Sequence, residues 1–218
     1  MERLVIFNDY ANIEAAFRQL SIELDDQDLV SYVSEGRFLV EAHAFVPVDP
    51  RNAYGRDALL ERLWQAGYVV YDKLGTIVGD GFRCNLDVEI TMEMMRTAEV
   101  VKPDIVVLMS GDKDFIPVIL ELRRRGIRVE VAAFPRHNAA RDVMLKASGF
   151  IDLERYHEER WANEEEAEVP LLAGLALVDD AKDSSMATDE AAFLASDIEE
   201  KTVRDERGAG TQDPTTAP

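Results

Sequence analysis

Short apolar runs alternate with stretches of helical period from residue 4 to about residue 153. Leu4 to Phe7 is continuously apolar, as a parallel strand buried on both faces should be. Asn12 to Leu20 follows with Ile13, Ala16, Phe17 and Leu20 at the spacing of one helix face. Leu29, Val30, Tyr32 and Val33 predict a short helix, and Phe38 to Val46 a second strand closed by Pro47, Pro50 and Gly55. Ala58 to Gln65 reads as a helix ended by Gly67, and Tyr68 to Tyr71 as a third strand. Gly75 to Arg83 holds three glycines and little periodicity, which predicts a loop. Beyond it the pattern predicts a helix over Leu86–Val101, a strand over Ile105–Met109 and a helix over Phe115–Arg125 stopped by Gly126. A strand over Val129–Phe134, a helix over Ala139–Ala147 and a last strand over Phe150–Leu153 complete it.

Strands joined by helices of this length imply a mostly parallel central sheet covered on both faces, a three-layer α/β/α sandwich. Ligands of such sheets collect beyond the carboxyl ends of the strands. Carboxylates stand at three of these places. Asp9 follows the first strand, with Asn12 three residues on; Asp112 and Asp114 follow the strand ending at Met109–Ser110; Asp87 opens the long helix. Oxygen ligands of this kind suit hard cations such as Mg²⁺ and Mn²⁺, which can orient water and stabilise charge on a phosphodiester. Each acid also has a plainer reading. Asp9, Asn12 or Asp87 can cap a helix, and Asp112–Asp114 can be a tight turn with a capped helix behind it.

Charge alters the view of partners. The net charge of −19 disfavours a nucleic-acid ligand, since phosphate binding rests on Lys and Arg. Residues 1–157, however, hold 26 Asp and Glu against 19 Lys and Arg, and residues 158–218 hold 17 against 5. The acidity is concentrated after the α/β pattern ends, so the chain divides into a domain over 1–157 and an acidic, largely disordered tail over 158–218. Within the tail, Leu171–Val178 is apolar enough for a short docking helix. A homo-oligomer, and a protein partner engaged through the tail, are compatible with this division. No apolar run reaches the ~18–20 residues of a membrane helix, Met1–Phe7 lacks the features of a signal peptide, and Cys84 is the single cysteine. A cytoplasmic protein with no membrane partner, disulfide or cysteine-zinc site is the expectation.

Several motifs resemble one family. Asp9-Tyr10-Ala11-Asn12 resembles the opening D-x-x-N of the NYN domain family, the LabA-like branch of the PIN-like nucleases. Asn85-Leu86-Asp87-Val88 is similar to its "G-V-D-V" helix start, and Ser110-Gly111-Asp112-Lys113-Asp114-Phe115-Ile116-Pro117 to its "S-G-D-x-D-F-x-P" stretch. Gly126 to Val131 and Phe150 to Leu153 resemble the following "G-x-x-V" strand and the closing "F-I-D-L". The likeness covers about residues 3–155. It implies a PIN-like fold and a Mg²⁺- or Mn²⁺-dependent hydrolase that cuts RNA, single-stranded in the simplest case. Asp9, Asp87, Asp112 and Asp114 fall on the acidic positions, and Asn12 and Ser110 on the supporting polar ones. The chain departs from the pattern where many members have Lys and Gly before the Asp87 position, offering Arg83 and Asn85. A second acid six residues after Asp87 is here Glu93; six residues turn a helix through about 240°, so the two do not share a face.

Arg136, beyond the Val129–Phe134 strand, is the preferred phosphate contact; Arg83 is another, and Tyr10 is a candidate to stack on a base. The Arg123–Arg125 cluster suits a helix C-terminus equally well. Two other functions remain open on the residues alone. One is a non-catalytic regulatory or interaction protein that keeps the fold. The other is a different metal-dependent phosphoryl hydrolase; a haloacid-dehalogenase would carry its Asp-x-Asp after the first strand, and a Toprim domain a Glu there.

Overall fold

The computed structural model of the protein describes residues 1–160. The expected tail and its docking helix lie outside the described residues, except for 158–160, which are helical. Six strands form one parallel sheet in the order β3-β2-β1-β6-β7-β8. These are β1 (Arg3–Asp9), β2 (Phe38–Val48), β3 (Tyr68–Leu74), β6 (Ile105–Met109), β7 (Arg128–Ala133) and β8 (Gly149–Asp152). The helices are α1 (Tyr10–Leu20), α2 (Asp26–Ser34), α3 (Asp57–Gln65), α4 (Asp87–Val100), α5 (Ile116–Arg124), α6 (Arg141–Lys146) and α7 (residues 153–160).

Strand alternation sorts the core into two layers. Leu4 and Ile6 of β1 pack with Ile13 and Phe17 of α1, Leu29 of α2, Leu63 of α3 and Tyr156 of α7. Val5 and Phe7 face the opposite way, onto Ile90 and Met94 of α4, Ile119 of α5 and Val143 of α6. β1 is therefore buried on both faces, which explains why its sequence is continuously apolar. Edge-on contact between Phe17 and Phe134, with ring centroids 5.1 Å apart, ties α1 to the end of β7; truncating such a side chain costs roughly 3–5 kcal/mol. Helix α2 starts earlier than its apolar residues suggest. The Asp25 carboxylate accepts hydrogen bonds from the Gln27 and Asp28 N–H groups, each at 3.0 Å, and so satisfies two free amides of the first turn.

The segment expected to be a loop over Gly75–Arg83 is instead an antiparallel hairpin, β4 (Thr76–Val78) with β5 (Gly81–Arg83). Gly79 takes the positive φ, 58°, that the first position of a two-residue turn favours. The strands are three residues each, too short to leave a period in the sequence. Leu153 likewise opens α7 rather than closing β8. Among the described residues, no helix is long and apolar enough to cross a membrane.

Strand order reverses between β1 and β6: the chain moves outward from β1 to β2 and β3, then returns to β6 on its other side. The carboxyl ends of β1 and β6 thus flank the switch point where open α/β sheets hold ligands. Asp9 ends one strand, and Ser110 follows the other.

Candidate metal centre

Asp9 lies on the same face of β1 as Val5 and Phe7, towards α4 and α5, and is only 9% exposed. Its Oδ2 accepts a hydrogen bond of 2.9 Å from the Ser110 hydroxyl. Burial pushes its carboxyl up to about 6; the Ser110 bond opposes the rise, and the nearby Asp87 and Asp112 charges add to it. Ser110 is fully buried, and its oxygen also accepts from the Asp112 N–H at 3.3 Å. Asp112 caps a short 3₁₀ turn, Lys113–Phe115, through its Oδ1 and the Asp114 N–H at 3.0 Å. The cap is thus Asp112, which leaves the exposed Asp114 carboxylate without a capping role.

Asp87 is the first helical residue of α4 and not its cap. Asn85 grips it twice, accepting from the Asp87 N–H at 2.8 Å and donating to its Oδ2 at 2.7 Å. Burial raises the Asp87 carboxyl, the Asn85 bond opposes this, and the charges of Asp112 and Asp114 raise it further. One carboxylate oxygen each from Asp87, Asp112 and Asp114 lie within 4.8 Å of one another. Asp9 is not one of this trio, but with Asn12, Asn85, Asp87 and Asp112 it lines one cavity of about 330 Å³. A larger cavity, about 550 Å³, lies by Asp26 and Arg62, where the carboxylate already has its guanidinium partner at 2.7 Å. The chemistry of the smaller one is the more pointed. Among the described residues, no Lys or Arg forms an ion pair with Asp9, Asp87, Asp112 or Asp114. An all-oxygen donor set carrying uncompensated charge fits a hard divalent cation.

The other sequence candidates fare differently. Tyr10 cannot stack on a base: it is 1% exposed, packed in the core, and its hydroxyl accepts from Arg62 at 3.0 Å. Glu93 is turned away from the trio as the helical angle requires; it binds Arg96 at 2.6 Å, and its charge bears on His43 and Tyr71. Arg136 sits on the carboxyl-end rim, but Glu154 engages its guanidinium at 2.6 Å and its N–H at 2.9 Å. Arg83 is exposed at the end of β5, two residues before Asn85. Asn12 accepts from the Gly111 N–H at 3.0 Å and from Asn138 at 2.8 Å. Sequence reasoning missed Asn85 and Asn138 as parts of the site. An Asn two residues ahead of an acid at a helix start was a local signal for Asn85; Asn138 gave none.

The model of the NYN domain family matches residues 3–154. The chain belongs to the NYN domain family. Its fold is the PIN-like α/β/α sandwich, and the family is one of nuclease-type hydrolases. A solved structure of a protein of unknown function from Vibrio parahaemolyticus RIMD 2210633 resembles this NYN domain with a TM-score of 0.57. The two are 23% identical, over 69% of this chain and 92% of that one. No curated protein matches the chain. That structure supports the fold alone.

Proposed function

We propose that this NYN domain is a metal-dependent ribonuclease that cuts single-stranded RNA, with Asp9, Asp87, Asp112 and Asp114 holding Mg²⁺ or Mn²⁺. The observation that carries this reading is the convergence of Asp87, Asp112 and Asp114 oxygens within 4.8 Å at the sheet's switch point. A divalent cation there supplies Lewis acidity, lowering the pKa of water and neutralising charge on phosphoryl oxygens. The protein's own groups do the rest. Asn85 fixes the Asp87 carboxylate, Ser110 fixes that of Asp9, and the capped turn fixes Asp112, so the acids are held before substrate arrives. Burial holds the Asp9 carboxyl up to about 6, so in the metal-free protein it gives up its proton around that pH. Arg83, exposed and next in sequence to the cavity-lining Cys84, is our proposed contact for a phosphate of the strand.

Purified protein with Mn²⁺ is expected to cleave varied single-stranded RNAs, and Asp112→Asn to abolish the cleavage. Absence of cleavage by the wild type across such RNAs, with Asp112→Asn no different, would refute it. Hydrolysis of small phosphomonoesters but not RNA would point to another phosphoryl hydrolase. Failure to bind Mn²⁺ would point to a regulatory NYN domain with a lapsed site.

A further inference from the structure

Three loops meet behind the acids, and two asparagines join them. Asn12 stands in the first turn of α1, Gly111 follows β6, and Asn138 lies between β7 and α6. The Phe134 N–H donates to Asn138 Oδ1 at 2.8 Å. A backbone N–H can only donate, so the other amide atom of Asn138 is its nitrogen, which donates to Asn12 Oδ1 at 2.8 Å and to the Asn12 carbonyl at 3.2 Å. The Gly111 N–H donates to the same Asn12 Oδ1 at 3.0 Å. Two fixed donors on one atom settle which way the Asn12 amide points. With Oδ1 turned to Gly111 and Asn138, the Asn12 Nδ2 is left on the far side of the amide; Asn12 lines the cavity shared with Asp9, Asp87 and Asp112, and its bonds to Gly111 and Asn138 run through its oxygens. Close approach makes this possible: a Cβ on Gly111 would lie 1.9 Å from the Asn138 carbonyl oxygen. The Ala140 N–H, bonded to the Gly111 carbonyl at 3.0 Å, closes the third side.

An N–H₂ group in a cavity of carboxylates has a natural partner in an anion brought there by a cation. We infer that Asn138 is a positioning residue: it holds Asn12 with its Nδ2 towards the cavity, where that group donates to a phosphoryl oxygen of the bound RNA. This rests on the ribonuclease reading of the same site.

Two variants separate positioning from simple support. Asn138→Asp keeps an acceptor for the Phe134 N–H but presents only lone pairs to Asn12, favouring the flipped amide. Asn138→Ala loses the Phe134 bond, yet leaves Gly111 to hold Asn12 Oδ1. Adenosine 5′-monophosphate binding to the full chain is measured with saturating Mn²⁺ in about 0.5 M salt, which screens the added charge. Thermal unfolding and Mn²⁺ titration are run beside it. The inference expects Asn138→Asp to weaken the nucleotide about tenfold or more and Asn138→Ala about threefold. Mn²⁺ affinity should stay within about twofold, and Asn138→Ala should unfold at the lower temperature. Nucleotide affinity that follows the unfolding temperatures, or does not change, overturns the inference. If Asn138→Asp does not fold, the wild-type side-chain amide signal of Asn12 decides. Adding Mg²⁺ with the nucleotide should shift it; a signal that stays in place overturns the inference. Wild-type binding of Mn²⁺ without the nucleotide overturns the inference alone, whereas no Mn²⁺ binding overturns the ribonuclease reading and the inference with it.

Discussion

Asp9 should make the metal-free protein less stable than it could be. Its carboxyl is raised to about 6 from an ordinary 3.8, first by burial and further by the charges of Asp87 and Asp112. Between these two values the folded chain keeps a proton that the unfolded chain has released. Stability of the metal-free protein therefore falls as pH rises through that window, and the full cost applies above about 6. A separation of about two pH units, at about 1.4 kcal/mol each, gives about 3 kcal/mol; water in the adjoining cavity brings this to about 1–3 kcal/mol. Asp9→Asn keeps an oxygen for the Ser110 hydroxyl and removes the charge. In chelator at pH 8 the variant should melt roughly 2–12 °C above the wild type, at about 2–4 °C per kcal/mol for a domain of this size. Near pH 4 the gap should close. Adding Mn²⁺ should reverse the order, because a ligand stabilises only a folded state that binds it. Thermal unfolding across pH, with and without Mn²⁺, measures all three effects. A variant no more stable than wild type at pH 8, or a gap independent of pH, would refute the reasoning.

Other perturbations have separable outcomes. Asp112→Asn should lose Mn²⁺ binding at little cost in stability, while Asp112→Ala should lose binding and also about 1 kcal/mol, since it removes the cap on the Asp114 N–H; equal unfolding by both would contradict the capping role. Gly111→Ala places a methyl against the Asn138 backbone and should cost roughly 2–4 kcal/mol in denaturant unfolding, because that backbone cannot yield as a side chain would. Arg83→Ala should raise KM for RNA and flatten its salt dependence, whereas Arg136→Ala, whose guanidinium is already engaged by Glu154, should leave KM within about twofold and stability within about 1 kcal/mol. Mn²⁺ affinity should fall as pH drops through about 6, where Asp9 takes up its proton; titration calorimetry at several pH values checks it.

The fold was legible where one rule governs many consecutive residues. Leu4–Phe7 and Ile105–Met109 are buried on both faces, so their sequences are uniformly apolar and their ends are sharp. The acids at those ends could be found because the motif order and the strand ends agreed. What stayed hidden depends on partners far along the chain. Tyr10 looks available beside Asp9, but Arg62, 52 residues away, takes its hydroxyl and the core closes over its ring. Arg136 looks like a free cation until Glu154 follows β8 and meets it. The link between Asn12, Gly111 and Asn138 spans up to 126 residues and has no local pattern at all. The β4–β5 hairpin fails for the opposite reason, since three-residue strands are too short for a period.

Diffraction from crystals soaked in Mn²⁺, with the anomalous signal used to locate the ion, tests the central claim most directly. The claim predicts one or two ions between β1 and β6, within coordination distance of Asp87, Asp112 and Asp114, with Asp9 in direct or water-mediated contact. A site that stays empty at saturating Mn²⁺, or ions bound only to scattered surface acids, would contradict it.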